Sequence, residues 1–365
     1  MKKVLIYGAG AIGRGYLPRV FTQDQFEYYF VEKNELIRNQ LNEKKCYTSY
    51  MTIGGTYDIQ KIQVKHCFKT DDELDFISQV DAILIAVGPR NFMQLQNKFI
   101  NTTLPIISFE NDSNMPVLMR NKTGNENVVF AIPDVITSNT APAELLKDDP
   151  LSIITEHGRC FIDEKVKFLG GDCDYVDTKE LAKQWHAKLY IHNTPHCIAA
   201  YLGNLLNFEY LHEGMLYPSV VEIVKGTMNE MKQMLRKKYN IDNDFLDFYA
   251  NKELQRFSNT ILFDPISRVA REPFRKLALK ERLIGAAELC LSVGIVPHNL
   301  IKGIMAAFSF DKESDSDFYI KHLIKSLSPE DFLRIIIGLR PGEALFELLI
   351  ENWDENLKII NKIKI

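Results

Sequence analysis

The chain has 365 residues, 46% of them hydrophobic and 25% charged, an ordinary balance for a folded protein and a length that suits two domains. A formal net charge of −4 and a pI near 6.1 leave none of the basic footprint expected of a nucleic-acid-binding domain. Six cysteines lie scattered with no CxxC pair, and no apolar run approaches the length of a membrane helix. The composition therefore argues against a zinc ribbon, a small disulfide scaffold or a membrane protein, and points to a cytoplasmic protein with reduced thiols.

The opening Met-Lys-Lys resembles the start of a leader, but the apolar run at 4–7 breaks at Gly8 and Gly10 and reads as a first strand. That strand runs directly into Gly-Ala-Gly-Ala-Ile-Gly at 8–13. The spacing predicts a tight turn at Gly8, close approach of a pyrophosphate at Gly10 and helix-on-strand packing at Gly13, with Ala11 and Ile12 in the same phosphate-facing turn. A second strand at 28–31 ends at Glu32, about 20 residues on, where a carboxylate would accept hydrogen bonds from the ribose of NAD and repel the 2′-phosphate of NADP. The adjoining Lys33 leaves room for some NADP tolerance, and a plain surface acid after a strand is the alternative.

Strand-like runs at 81–87 and 105–109 stop at Gly88-Pro89 and at Glu110-Asn111. In an open parallel sheet ligands lie beyond the carboxyl ends of the strands, so Gly88, Pro89 and Asn111 become cofactor or substrate neighbours. Helix-like spacing at 73–79 and 91–97 completes an alternating order. Further strand-like runs at 127–132 and 151–155 end at Pro133-Asp134 and at Glu156. Beyond about 180 helical patterns take over, at 217–239, 330–338 and 343–352. The fold class expected is α/β: a Rossmann-type dinucleotide-binding domain over 1–180, then a mainly α-helical catalytic and substrate domain over 181–365.

Residues 188–203 place Lys188, Asn193 and His196 in one short stretch, and Thr194-Pro195 reads as a helix N-cap followed by proline. His196, Ala199, Ala200 and Gly203 would share a face too small to fill a core, so that something can approach its backbone closely. A helix N-terminus bearing amide and imidazole donors suits a carbonyl oxygen that develops negative charge, and the lysine could exchange a proton with it. Taken singly, these residues read as a solvated lysine, a turn asparagine and a surface histidine. Arg268, Arg271, Arg275, Lys276, Lys280 and Arg282 crowd around Pro273; a solvated basic face is the default, and a pocket for an anionic substrate the sharper reading.

These motifs are identified together as those of the polyol-specific long-chain dehydrogenases. The resemblance rests on Gly-Ala-Gly-Ala-Ile-Gly-Arg-Gly-Tyr (8–16), Ala-Val-Gly-Pro (86–89), Glu-Asn (110–111) and Lys-x4-Asn-x2-His from Lys188 into Ala-Tyr-Leu-Gly (200–203). Arg-Val-Ala-Arg-Glu-Pro-Phe-Arg-Lys-Leu (268–277) and Pro-His-Asn-Leu-Ile-Lys-Gly (297–303) complete it. The order holds over nearly the whole chain, and the length is that of the phosphate-specific branch. The resemblance implies a metal-independent, NAD-dependent enzyme that interconverts mannitol 1-phosphate and fructose 6-phosphate. In it Lys188 is the general base, Asn193 and His196 hold the reacting oxygen, Asp134 lies beside the substrate, and Arg268 and Lys276 match the family's basic pattern most closely. The chain departs from that pattern at Val135, where the family has arginine, and at Trp185-His186, where some relatives carry a glutamate. Two alternatives remain: a reductase of an unphosphorylated polyol or hexuronate, and a nucleotide-binding regulator without turnover, which would have no reason to keep Lys188, Asn193 and His196 together.

Overall fold

Every side chain of the strand Val4-Leu5-Ile6-Tyr7 is buried, as expected of a strand covered on both faces. Val4 and Ile6 enter one apolar cluster, with Tyr28, Phe30, Leu84 and Val129, while Leu5 and Tyr7 enter the other, with Ile83, Ile85, Phe99 and Val128. A computed structural model describes residues 1–100, 102–138, 142–310 and 318–363. It divides into two units, Met1–Trp185 with Ile261–Phe263, and His186–Thr260 with Asp264–Ile365.

In chain order the strands of the first unit are β1 (Lys2–Tyr7), β2 (Phe26–Val31), β3 (Cys46–Ile53), β4 (Thr56–Gln63), β5 (His66–Phe68) and β6 (Ala82–Ile85). They continue as β7 (Ile106–Ser108), β8 (Val128–Asp134), β9 (Thr137–Ser138), β10 (Ile153–Glu156), β11 (Arg159–Asp163) and β12 (Asp174–Val176). The main sheet has the order β12-β11-β8-β7-β6-β1-β2-β5 and is parallel except where β11 runs against β8. Because β2 and β6 flank β1 on opposite sides, the strand order reverses there and leaves a crevice at the carboxyl ends of β1 and β6. A smaller sheet, β4-β3-β10-β9, contains a hairpin that the chain-order reading above lacks. Its turn is Gly54-Gly55, both at positive φ, with Ile53 opposite Thr56.

Two segments read from spacing as helix-like, 73–79 and 91–97, are instead the tighter 3₁₀ turns Leu74–Gln79 and Met93–Phe99. Short pieces of 3₁₀ structure are common connectors, and here each returns the chain to the sheet after few residues.

The second unit is helical among its described residues. At its centre is the Thr194–Leu205 helix, all of whose residues are buried. The Pro218–Tyr239, His298–Phe308 and Ile266–Ala270 helices pack around it. Its small face is indeed closely approached, but by the protein: a Cβ at Gly203 would lie 2.7 Å from Cδ1 of Ile266.

Candidate active site

In the first unit the glycine turn behaves as three different positions. Gly8 sits at φ +93° and its place for a Cβ is 2.4 Å from the Ala86 carbonyl oxygen, so only glycine fits where the β1 and β6 ends meet. Gly13 lies against the Gly8 carbonyl in the same way. At Gly10 a Cβ would meet nothing within 4 Å, which leaves an open backbone surface for a ligand. Ala11 and Ile12 begin the turn Ala11–Tyr16 that follows. Arg14, buried beneath it, donates its Nε to the Ala9 carbonyl at 2.6 Å and a terminal nitrogen to the Leu151 carbonyl. Glu32 is half-buried beside the turn, its carboxylate accepting the Ala9 amide (2.8 Å) on one oxygen and the Asn34 amide (2.8 Å) on the other. A carboxylate oxygen has a second lone pair, so ribose hydroxyls can still be accepted. The turn, its open face at Gly10 and this carboxylate fit the adenosine half of a dinucleotide.

Gly88, at φ +88°, and Pro89 open a short helix, Pro89–Phe92, next to that turn. Here the structure adds a residue that was legible only as half of a motif. Glu110 is buried, and one of its oxygens accepts both the Val87 amide (2.7 Å) and the Gly88 amide (2.9 Å). Burial pushes its pKa up to about 7 against the pull of those two amides. Asn111 follows it at the surface. Asp134 is the buried last residue of β8. Val135, at the position of the family's arginine, points into the core of this unit and is 7% exposed.

The second unit carries Lys188, Asn193 and His196, all buried. The expected helix start at Thr194 is absent: Lys188–Asn193 is a π-helical turn that runs into Thr194–Leu205, with the Thr194 amide bonded to the Leu189 carbonyl. No free helix end therefore faces the site, and the dipole argument for it falls away. The turn achieves something else. Residues five apart lie about 140° apart around an α-helix, whereas a π-turn closes its hydrogen bond across five residues and brings them to the same side. The Lys-x4-Asn spacing is thus matched to the local backbone. The Thr194 hydroxyl, which would have capped a helix start, donates instead to the Leu189 (3.1 Å) and Arg282 (2.8 Å) carbonyls.

Asn193 Nδ2 is buried and bonds to no acceptor. A donor left in that state costs about 1–3 kcal/mol, and a ligand oxygen would remove the penalty. His196 shares a 2.8 Å hydrogen bond between its Nε2 and Oδ2 of Asp264, and its ring stacks on Phe257 at 4.9 Å. Burial would raise the Asp264 carboxyl, but Arg268, bonded to Oδ1, and His196 outweigh it and hold it down at about 2. The imidazole itself is pushed down by burial, against the opposing pull of Asp264. A neutral imidazole facing an ionised carboxylate carries its proton on Nε2, so Nδ1 is an acceptor. His196 therefore differs from the donor that its position in the motif suggests. One turn earlier His192 is paired the same way, its Nδ1 with Oε2 of the fully buried Glu253, which also holds Arg256 at 2.6 Å. Burial pushes His192 down to about 4, and the two imidazoles lie 4.9 Å apart.

Lys276 is also in this unit, buried, its Nζ donating to the Arg271 carbonyl and lying 5.9 Å from the ring centre of Tyr201. Burial, with Arg282 and Arg275 nearby, brings its pKa down to about 7. Among the described residues, no three His, Cys, Asp or Glu side chains converge as a metal site, and no helix is long and apolar enough to cross a membrane.

A glycine turn at a strand-order switch and a second unit with a buried lysine, amide and imidazole define a two-part, nicotinamide-dependent dehydrogenase. The Rossmann-domain model of the mannitol dehydrogenases matches residues 2–118 and their C-terminal-domain model matches 181–319; the chain belongs to the mannitol dehydrogenase family. Curated relatives include mannitol-1-phosphate 5-dehydrogenases of Caldanaerobacter subterraneus subsp. tengcongensis and Thermoanaerobacter pseudethanolicus. Each is 28% identical over 382 residues, spanning 97% of this chain and 98% of the relative. Among solved structures, Pseudomonas fluorescens mannitol 2-dehydrogenase in ternary complex with NAD and D-mannitol has a TM-score of 0.74 at 14% identity, covering 100% of this chain and 91% of that one. Substrate-free D-sorbitol dehydrogenase has a TM-score of 0.66 at 11% identity, covering 99% and 92%. Both structural likenesses bear on the fold.

Proposed function

We propose that the protein is a cytoplasmic, NAD-dependent and metal-independent oxidoreductase that interconverts mannitol 1-phosphate and fructose 6-phosphate. The observation that carries this reading is the buried set of Lys188, Asn193 and His196 on one π-turn and the helix it leads into, in a chain whose full-length relatives bear the name mannitol-1-phosphate 5-dehydrogenase. The backbone at Gly8, Gly10, Ala11, Ile12 and Gly13, with Glu32, would hold the dinucleotide, and Gly88, Pro89 and Asn111 belong to the same crevice. When bound, the nicotinamide supplies or accepts the hydride.

The chain's own residues manage the proton and the charge. In the oxidative direction the carbinol O–H bond breaks and its proton passes to Nζ of Lys188; in the reductive direction the same nitrogen returns it to the nascent alkoxide. Nδ2 of Asn193, a donor already free of other partners, stabilises the oxygen as charge develops on it. His196, fixed by Asp264, offers Nδ1 to a substrate hydroxyl and so orients the sugar. Arg268 and Lys276, in the same unit, complete the expected substrate contacts there. A panel of sugar phosphates, free sugars and hexuronates, assayed by NADH oxidation, tests the reading. Fructose 6-phosphate should be preferred by roughly tenfold or more over fructose, since one charge-assisted bond contributes about 1.5–3 kcal/mol. Equal use of fructose, or preference for a hexuronate, would overturn it in favour of the unphosphorylated class.

A further inference from the structure

The basic residues between Arg268 and Arg282 differ in what they already hold. Arg268 places its Nε and one terminal nitrogen on Asp264. Arg275 lies between Glu272 at 3.1 Å and Glu281 at 3.5 Å. Lys280 is exposed, in a left-handed conformation. Arg282 is different: it is only 5% exposed, its Nε meets Glu281 at 3.2 Å, and its terminal Nη2 is buried without an acceptor. That is the state of Nδ2 in Asn193, and the two residues are joined through Thr194, which follows Asn193 in the chain and donates its hydroxyl to the Arg282 carbonyl.

A buried guanidinium donor with no acceptor is costly, and a phosphate oxygen is the acceptor that guanidinium geometry suits best. The positions are also chemically consistent. In fructose 6-phosphate the reacting carbon and the phosphate lie at opposite ends of the sugar, and an arginine side chain carries its terminal nitrogens well away from the carbonyl that Thr194 touches. Lys276, whose pKa both Arg282 and burial depress, would regain its charge beside a bound anion.

We propose that Arg282 is the residue that selects the phosphorylated substrate, its Nη2 donating to a phosphate oxygen with Lys276 as the second cation of the pocket. The proposal rests on the sugar-phosphate reading above. The experiment compares the ratio of kcat/KM for fructose 6-phosphate to that for fructose, with NADH, in wild type, Arg282→Met and Arg282→Lys, and measures inhibition by inorganic phosphate in each. In Arg282→Met the ratio should fall about tenfold or more and phosphate inhibition should weaken in parallel. Arg282→Lys, which keeps the charge but not the paired donors, should fall between the two. An unchanged ratio and unchanged phosphate inhibition in either variant would overturn the proposal, as would loss of both substrates in equal proportion, the mark of a structural role. Should the methionine variant fail to fold, the lysine variant alone decides. Absence of any phosphate preference in the wild type would instead remove the underlying reading.

Discussion

The two units prepare their sites in opposite ways. Around the glycine turn, polar groups are tied to one another: Glu32 holds the Ala9 and Asn34 amides, Arg14 holds the Ala9 carbonyl, and Glu110 holds the Val87 and Gly88 amides. What this unit offers a ligand is backbone surface, open at Gly10. In the helical unit the groups proposed to meet the ligand are side chains, and two of them, Asn193 and Arg282, keep buried donors without acceptors. The first arrangement shapes a binding surface at little cost to stability. The second leaves two buried donors, each costing about 1–3 kcal/mol until a bound molecule supplies the acceptor that the proposed function calls for.

The contrast breaks most sharply at Lys188. Lys188→Ala should lower kcat about 100-fold or more while NADH affinity, measured by fluorescence titration, stays near wild type, because the two rest on different units. Loss of NADH binding in that variant would show that the division is wrong. Asn193→Ala should cost on the order of 100-fold in kcat, the usual loss for one donor to a developing oxyanion, and leave the melting temperature equal to or above wild type. A clear drop in thermal stability would mean that the amide is a structural bond and not a reserved one. The smallest effect is expected at Glu32. Glu32→Ala should narrow the preference for NADH over NADPH, measured as a ratio of kcat/KM values, and also weaken NADH binding several-fold, because the Ala9 amide loses its acceptor. Unchanged cofactor preference would leave Glu32 with only its role in the turn.

The same contrast explains what could be read from the chain alone. The first unit was legible because its devices are local: a buried strand, a glycine turn and an acid at the next strand end all fall within one short stretch. Its β3–β4 hairpin also carries a signal, Gly54-Gly55 between two runs of strand-like residues, but that signal is weak beside the helical and parallel-strand patterns around it. In the second unit only Lys188, Asn193 and His196 could be seen together. The groups that set their chemistry come from afar: Glu253 lies 61 residues from His192, and Asp264 lies 68 from His196. No spacing rule spans such a distance, so the polarity of His196 could be read only once Asp264 was found on Nε2. Val135 shows the converse: the residue that departs from the family pattern packs into the first unit's core.

The π-turn at Lys188–Asn193 also has a consequence for how the chain can change. It holds one residue more than an α-helical path would need, so the residues on either side are out of phase by about 100°, one α-helical step. Removing a single residue there would restore an unbroken α-helix with a full ladder of ordinary hydrogen bonds, apart from the one that Pro195 lacks. The core contacts made by Thr194–Leu205 could be kept, and Lys188 and Asn193, then four residues apart, would still lie within about 40° of each other on one helix face. The pairing of lysine and amide therefore outlasts the loss of the π-turn, and a Lys-x3-Asn spacing in an otherwise similar sequence would mark the same two groups carried on an ordinary α-helix.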